Sequence, residues 1–429
     1  MAGVFDQAKQ LLDADDEGRV CRDIPETACD AQPGNIAKHV AALGASKIAD
    51  GFVDPKLILS WLMGALGAPA ALIGLLVPVR EAGALLPQLF TAGAIRALPK
   101  RKWAWASGAA GQGLAAIAIG LAALTLSGAA AGGVIVAALA VLAVSRSVCS
   151  VAYKDVLGKT VDKERRGSTT GLAASLASSA VIALAAALVF GLAERIILVL
   201  IALFAAGFLW IAGAFIFTTL KEAPGASEGG RNAFEEARRG ASALKNDAQL
   251  RRFIAARGLL TTTAFAPPFM IAAAPGDGVA LGLLVLASAA SSLLSSAVWG
   301  RLADRSSRLV LAASAAIAAA ALGVTATLAM FGALHPTFAL PPLLFLLMIA
   351  YQGVRLGRST HLVDMADEET RATYTALSNT IIGVVLMAGA GLGLLAEIVG
   401  AAGVLGTLAL MSAGALPVAL GLQNVQKAD

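Results

Sequence analysis

Pro69–Thr91 reads PAALIGLLVPVREAGALLPQLFT. At about 1.5 Å per residue, such a run is long enough to cross roughly 30 Å of hydrocarbon as a helix. Arg80 and Glu81 sit near its midpoint. At the centre of a span each costs about 2.5–3.5 kcal/mol, whereas each Leu, Ile, Val or Phe returns only about 0.3–0.6. Roughly ten large apolar residues therefore offset about 3–6 of some 5–7 kcal/mol. Alone the segment barely inserts. Neighbouring helices must shield or pair its charges, and ionisable groups inside a membrane are expected to mark a functional site.

The rest of the chain agrees. It has 429 residues, 58% hydrophobic and 14% charged, with a mean hydropathy of +0.76. Soluble domains carry about 25% charged residues, so this composition is that of a polytopic membrane protein. A pI near 9.2 and a net charge of +5 do not point to nucleic acid, because the basic residues fall in short loops between apolar runs and orient the chain there. Met1–Gly34 is polar and acidic, unlike a cleavable leader. Three cysteines are too few for a disulfide framework, and Cys21 and Cys29, in a segment assigned to the cytosol, are expected to be reduced.

Hydrophobic segmentation predicts twelve spans: 36–61, 69–94, 103–126, 132–156, 167–190, 193–219, 252–273, 279–302, 308–332, 339–362, 371–395 and 399–422. The expected organisation is a cytoplasmic tail (1–34) with a short amphipathic helix near Val4–Leu12, a six-helix bundle (35–220), a linker (221–251) and a second six-helix bundle (252–429). Phe234, Ala237, Ala241 and Leu244 recur at helical spacing in the linker, so an amphipathic helix on the cytoplasmic face is expected there. Arg96, Lys100, Arg101, Lys102, Lys159, Lys163, Arg165, Arg166, Arg301, Arg305, Arg308 and Arg371 then fall on one side and little beyond Arg195 on the other. The positive-inside rule places both termini in the cytosol. The halves repeat: VDKERRGSTTGL from Val161 and MADEETRATYTAL from Met365 share a pattern about 205 residues apart. Internal duplication of this kind underlies alternating access around a site near mid-membrane.

From Gly300 the chain reads GRLADRSSR. With Gly300, Asp304, Arg305 and Arg308 on the pattern, it resembles the loop signature of the major facilitator superfamily. It also lies in the matching place, between the second and third spans of a half. The first-half counterpart, GAIRALPKR from Gly93, has Ala97 where the acid belongs. Arg146 occupies the place of that superfamily's buried arginine. The resemblance implies an all-α membrane protein of twelve helices in two pseudo-symmetric bundles that moves a small-molecule substrate through a cytoplasmic (inner) membrane. Asp304 would act as part of a cytoplasmic gate by pairing with Arg or a helix end. Span five lacks the glycine and proline signature of the superfamily's drug and proton antiporters, which argues against drug efflux.

Inside the spans, Lys47, Asp50 and Asp54 are spaced to share a helix face, and Arg80, Glu81 and Arg146 lie near mid-depth. The second half supplies Tyr351, Gln352, Thr261–Thr263 and Asn379, with Arg257, Arg355 and Arg358 placed toward the cytosol. The expected picture is one ionic wall facing one hydrogen-bonding wall. Two readings stay open for the ionic wall. Its three basic and three acidic groups pair purely to hold helices together, or part of the network faces a cavity where an arginine binds an acidic substrate and Glu81 or Asp50 exchanges a proton. His39, His335 and His361 have no metal-ligand spacing, and no nucleotide loop or nucleophile motif is present. The expectation is a monomeric, cofactor-free secondary transporter, not an enzyme, for a small anionic or zwitterionic organic solute, with coupling to protons. The alternative is a protein of transporter fold that moves nothing and serves as a binding or assembly factor for membrane partners.

Overall fold

The computed structural model describes residues 29–225, 244–276, 278–366 and 368–426. The helix expected near Val4–Leu12 and most of the linker helix lie outside the described residues. Among the described residues there is no strand. Fourteen helices follow in order: α1 (Gln32–Phe52), α2 (Ile58–Ala65), α3 (Ala70–Leu85), α4 (Gln88–Arg96), α5 (Lys102–Thr125), α6 (Gly128–Thr160) and α7 (Lys163–Phe190). Then come α8 (Arg195–Thr218), α9 (Ala248–Leu259), α10 (Thr262–Ala273), α11 (Gly278–Met330), α12 (Leu340–Met365), α13 (Glu368–Ala388) and α14 (Gly391–Leu420). Among the described residues, eight helical segments are long and apolar enough to cross a membrane, α11 supplying two of them (Val279–Ser296 and Val298–Met330), or nine if the bent pair α3/α4 is one span.

The expected first span is not continuous. α1 stops at Phe52, and Asp54 Oδ1 accepts the backbone N–H groups of Lys56 and Leu57, both at 2.9 Å, to start α2 afresh. Pro55 cannot donate an N–H, so the chain breaks between Val53 and Leu57. The second span bends by 41° between α3 and α4, at Pro87. The seventh breaks at Leu260–Thr261, between α9 and α10. α11 holds the eighth and ninth expected spans in one run, broken inside the GRLADRSSR motif at Ser306 (φ −167°, ψ 100°). α14 likewise turns at Gly400, whose φ of 71° suits a residue without a Cβ.

Helices α1, α3, α5, α6, α7 and α8 pack with one another, as do α9 to α14; contacts between these groups run through α3 with α13 and α14, α2 and α3 with α10, and α7 with α11. Side chains such as Phe208, Phe215, Leu294 and Leu410 stand exposed on the outside, while polar and charged groups turn inward. That inversion suits a hydrocarbon surround. At the end of the molecule carrying Gln32, Asp162, Asp247 and Gln426, here the tail end, each group ties its own helices together with hydrogen bonds. Gln32 Oε1 accepts Asp162 N–H at 2.8 Å, and Asn35 exchanges two bonds with the Lys221 backbone. Asp247 caps α9 and accepts the Tyr374 hydroxyl at 2.8 Å. Burial works to raise this carboxyl, but the N–H groups of Leu250 and Gln249, the Tyr374 hydroxyl and Arg251 outweigh it and hold it below its ordinary value. Cys29 is disulfide-bonded, which corrects the expected reduced state, while Cys149 is a buried free thiol.

Candidate functional site

The break between α1 and α2 brings the charges together. Asp50, in the last turn of α1, is shared by two arginines: Arg80 Nη2 donates to Oδ1 at 2.7 Å, and Arg146 Nη1 of α6 pairs with Oδ2. Asp54 spends its carboxylate on the cap of α2 instead of facing Lys47. Lys47 makes no hydrogen bond or ion pair among the described residues and lies in the fields of Asp50, Arg146 and Arg355.

Sequence reasoning passed over Lys56, because an unbroken span placed it as one more helical residue. In the break it is 6% exposed. Its Nζ lies 3.6 Å from Glu81 Oε1 and 3.8 Å from the centroid of the Tyr351 ring. The ring belongs to α12, so this ammonium bridges the two helix groups, a desolvated cation–π contact worth about 2 kcal/mol. The Asp54–Pro55 pair, a turn initiator, was the signal that could have flagged it.

The second helix group is not the mild wall expected. Arg257, Arg355 and Arg358 line one cavity with Glu81, Thr261, Thr263 and Tyr351, closed by Leu85, Val354, Ile382 and Leu386. Its enclosed part is about 40 Å³, room for a few waters at roughly 10–15 Å³ each. Arg257 is 6% exposed and donates to Ser378 Oγ at 2.6 Å and Asn379 Oδ1 at 2.9 Å, both neutral acceptors. Its Nε has no partner. Counting Lys47, Lys56, Arg80 and Arg146 with these three arginines, seven cations face the acids Asp50, Asp54 and Glu81. The surplus is four positive charges, and all three acids belong to the first helix group.

These groups are reached by solvent. The Glu81 side chain is 35% exposed and that of Arg146 34%. Ser150 and Lys154 continue the Arg146 face of α6 toward the tail end and are exposed, as are Arg355 and Ser359 on α12. The opposite end is shut. A Cβ at Gly74 of α3 would stand 2.5 Å from Gly393 Cα of α14, so two backbones touch there. Trp61 Nε1 donates to Gly276 O at 3.3 Å, and Ala71 N–H to Glu397 Oε1 at 3.4 Å. Gln352, half-buried beside Tyr351, has no side-chain hydrogen bond among the described residues.

The loop motif is built differently from expectation. Asp304 and Arg305 are exposed and unpaired among the described residues, and nothing crowds Gly300. Arg308 Nη1 donates to Leu422 O at 3.3 Å. The working contact is Ser307, whose N–H reaches Gln426 Oε1 at 2.9 Å and whose hydroxyl meets His361 Nδ1 at 2.9 Å. The first helix group solves the same problem with a charge. Glu222, 5% exposed, accepts the N–H groups of Arg101 (3.0 Å) and Lys102 (2.8 Å) at the start of α5 and pairs with Lys159 at 3.3 Å. The acid that Ala97 lacks is thus supplied to this helix N-terminus from the start of the linker.

No family model matches the sequence, and no curated relative matches it. Solved structures do. The chain superposes on the nucleoside transporter NupG with a TM-score of 0.64 at 14% identity, covering 92% of this chain and 100% of that one. For a D-xylose-proton symporter the TM-score is 0.66 at 10% identity, with 91% and 98% covered. For a POT family transporter in complex with 5-aminolevulinic acid it is 0.66 at 9% identity, with 94% and 98% covered. With nearly the whole of each transporter matched, this chain has the fold they share, the major facilitator fold.

Proposed function

We propose that the protein is a secondary transporter that carries a small organic anion across the cytoplasmic membrane by alternating access. One observation carries the anion reading. Arg257 is a buried guanidinium without a carboxylate partner, in a cavity lined by three arginines and, among the described residues, one acid, Glu81. A buried ion left without a counter-charge costs several kcal/mol, so the site is built to receive one. The similar structures are of a nucleoside transporter, a D-xylose-proton symporter and a POT family transporter with 5-aminolevulinic acid bound, so fold alone leaves the cargo open.

In this reading the chain crosses twelve times as a monomer, with broken helices counted as spans, and both termini are cytoplasmic. The tail end is then the cytosolic one, and the conformation is open inward with the Gly74–Gly393 seam closed outside. Anion binding at Arg257, Arg355 and Arg358 neutralises the charges that hold the second group away from Arg146 and Lys47, which favours closure at the tail end. As the groups rock, Lys56 shifts between Tyr351 and Glu81, and Glu81 takes up a proton when that ammonium draws away from it and releases the proton when the ammonium returns. Asp304, Arg305 and Arg308 join the closed cytosolic face in the outward-open state. Purified protein in liposomes tests this. Gradient-driven uptake of an anionic solute, reduced by Arg257→Gln, is expected; no uptake of any solute and no ligand-induced thermal stabilisation would leave a non-transporting assembly factor.

A further inference from the structure

We infer that the cargo carries at least two negative charges on closely spaced oxygens, as a phosphate monoester or a dicarboxylate does, and that Arg257, Arg355 and Arg358 clasp it. This rests on the anion reading above and narrows it. Three guanidiniums converge on one cavity, and the only acid lining it among the described residues, Glu81, already faces Lys56 at 3.6 Å. Arg355 and Arg358 are three residues apart, so they share a face of α12. Neither guanidinium has a hydrogen bond or ion pair among the described residues; that of Arg355 lies 5.8 Å from the Tyr351 ring centroid. Arg257, fixed from behind by Ser378 and Asn379, keeps its Nε without an acceptor.

A single carboxylate offers two oxygens and one charge. It would satisfy one fork and leave two of the three converging guanidiniums without a counter-charge. A dianion supplies three or four acceptor oxygens, enough for paired N–H···O bonds from two planar forks and a third contact to Arg257. The enclosed 40 Å³ takes the charged head group. The carbon skeleton then lies in the open path bordered by Arg146 and Ser150.

Thermal melts of the detergent-solubilised full chain, titrated with matched ligands, test the charge requirement. Succinate is compared with its monoanionic amide succinamate, and glycerol 3-phosphate with glycerol, with xylose and a neutral nucleoside alongside. The dianions are expected to reach half-maximal stabilisation at concentrations at least about tenfold lower than their partners. Arg358→Gln should abolish that difference, and Arg355→Gln, at a more exposed position, serves where the first variant fails to fold; Arg195→Gln, distant from the cavity, should keep it. Equal stabilisation by succinate and succinamate overturns the dianion and leaves the anion reading standing. Stabilisation by neutral ligands only, or by none of the panel, overturns both.

Discussion

Asp50 is the minority charge of its cluster, so its loss should matter more than the loss of either arginine it serves. In Asp50→Asn, Arg80 and Arg146 both lose their counter-ion. Charge centres about 4 Å apart interact by roughly 4 kcal/mol at an effective dielectric near 20, so two contacts amount to about 8 kcal/mol gross. Repulsion between the two guanidiniums, on the order of 2–3 kcal/mol at roughly 7 Å, is present in the native cluster and uncompensated in the variant. The side chains are 14–34% exposed, and rehydration recovers part of the loss. The net expectation is about 3–5 kcal/mol, as for a broken buried pair. At roughly 2.1 cal/mol/K per residue, a chain this long loses about 3–6 °C in Tm. Arg146→Gln behaves oppositely, because it leaves Asp50 and Arg80 as a one-to-one pair, and its cost should be about 0–1 kcal/mol. Tryptophan-monitored melts of the wild type, both variants and the double variant complete the cycle. A Tm loss in Arg146→Gln equal to that in Asp50→Asn would refute the shared-carboxylate geometry.

Glu81→Gln should flatten the pH profile of uptake in a chain that still folds, with a lowered Tm because buried Lys56 loses its carboxylate partner; a profile identical to the wild type removes Glu81 from coupling. Gly74→Val drives a side chain into Gly393 and should cost about 1–3 kcal/mol by overpacking, with slower transport because the outer seam cannot close; normal transport would show that the seam is no gate. Asp247→Ala removes the α9 cap and should cost about 1 kcal/mol at pH 7. The Asp247 carboxyl is held below its ordinary value in the folded chain, so its charge contributes fully above the unfolded pKa near 3.9 and loses that contribution as pH falls through the folded value. The penalty of Asp247→Ala, measured by melts from pH 7 down to about 3, should therefore shrink at the acid end; a pH-independent penalty contradicts the capping charge.

Length and hydropathy located the helices that are continuous. The run expected at 103–126 is Lys102–Thr125, and that at 193–219 is Arg195–Thr218, because lipid demands an unbroken apolar helix and little else imitates one. Breaks were harder. Asp54–Pro55 carried a local signal, but the hydropathy of ILSWLMGA beyond it concealed the interruption. Partners were out of reach, since Arg146 meets Asp50 across 96 residues and Arg257 meets Asn379 across 122. Three arginines read as lying toward the cytosol become a cavity wall only when α9, α12 and α13 are assembled. No residue pattern within one helix reports what another helix will bring.

The internal repeat gives this asymmetry its meaning. In each half the residue shortly after the last helix reaches back to the N-terminus of the third span: Glu222 to Arg101 and Lys102, Gln426 to Ser307. The geometry is shared and the chemistry has diverged, with a carboxylate in the first half and an amide in the second. The central site diverges the same way. Arg80 and Arg146 are held by a carboxylate, Asp50, whereas Arg257 is held by a hydroxyl and an amide oxygen. An amide fixes a guanidinium's position as well as a carboxylate does but leaves its charge uncancelled. Under the proposed function, the first half moves as a nearly neutral body, while the second carries three unneutralised cations for an incoming anion to balance. An Asn379→Asp substitution would supply that balance from within, and a chain so altered should be more stable empty and bind its cargo more weakly; tighter binding would contradict the division of charge between the halves.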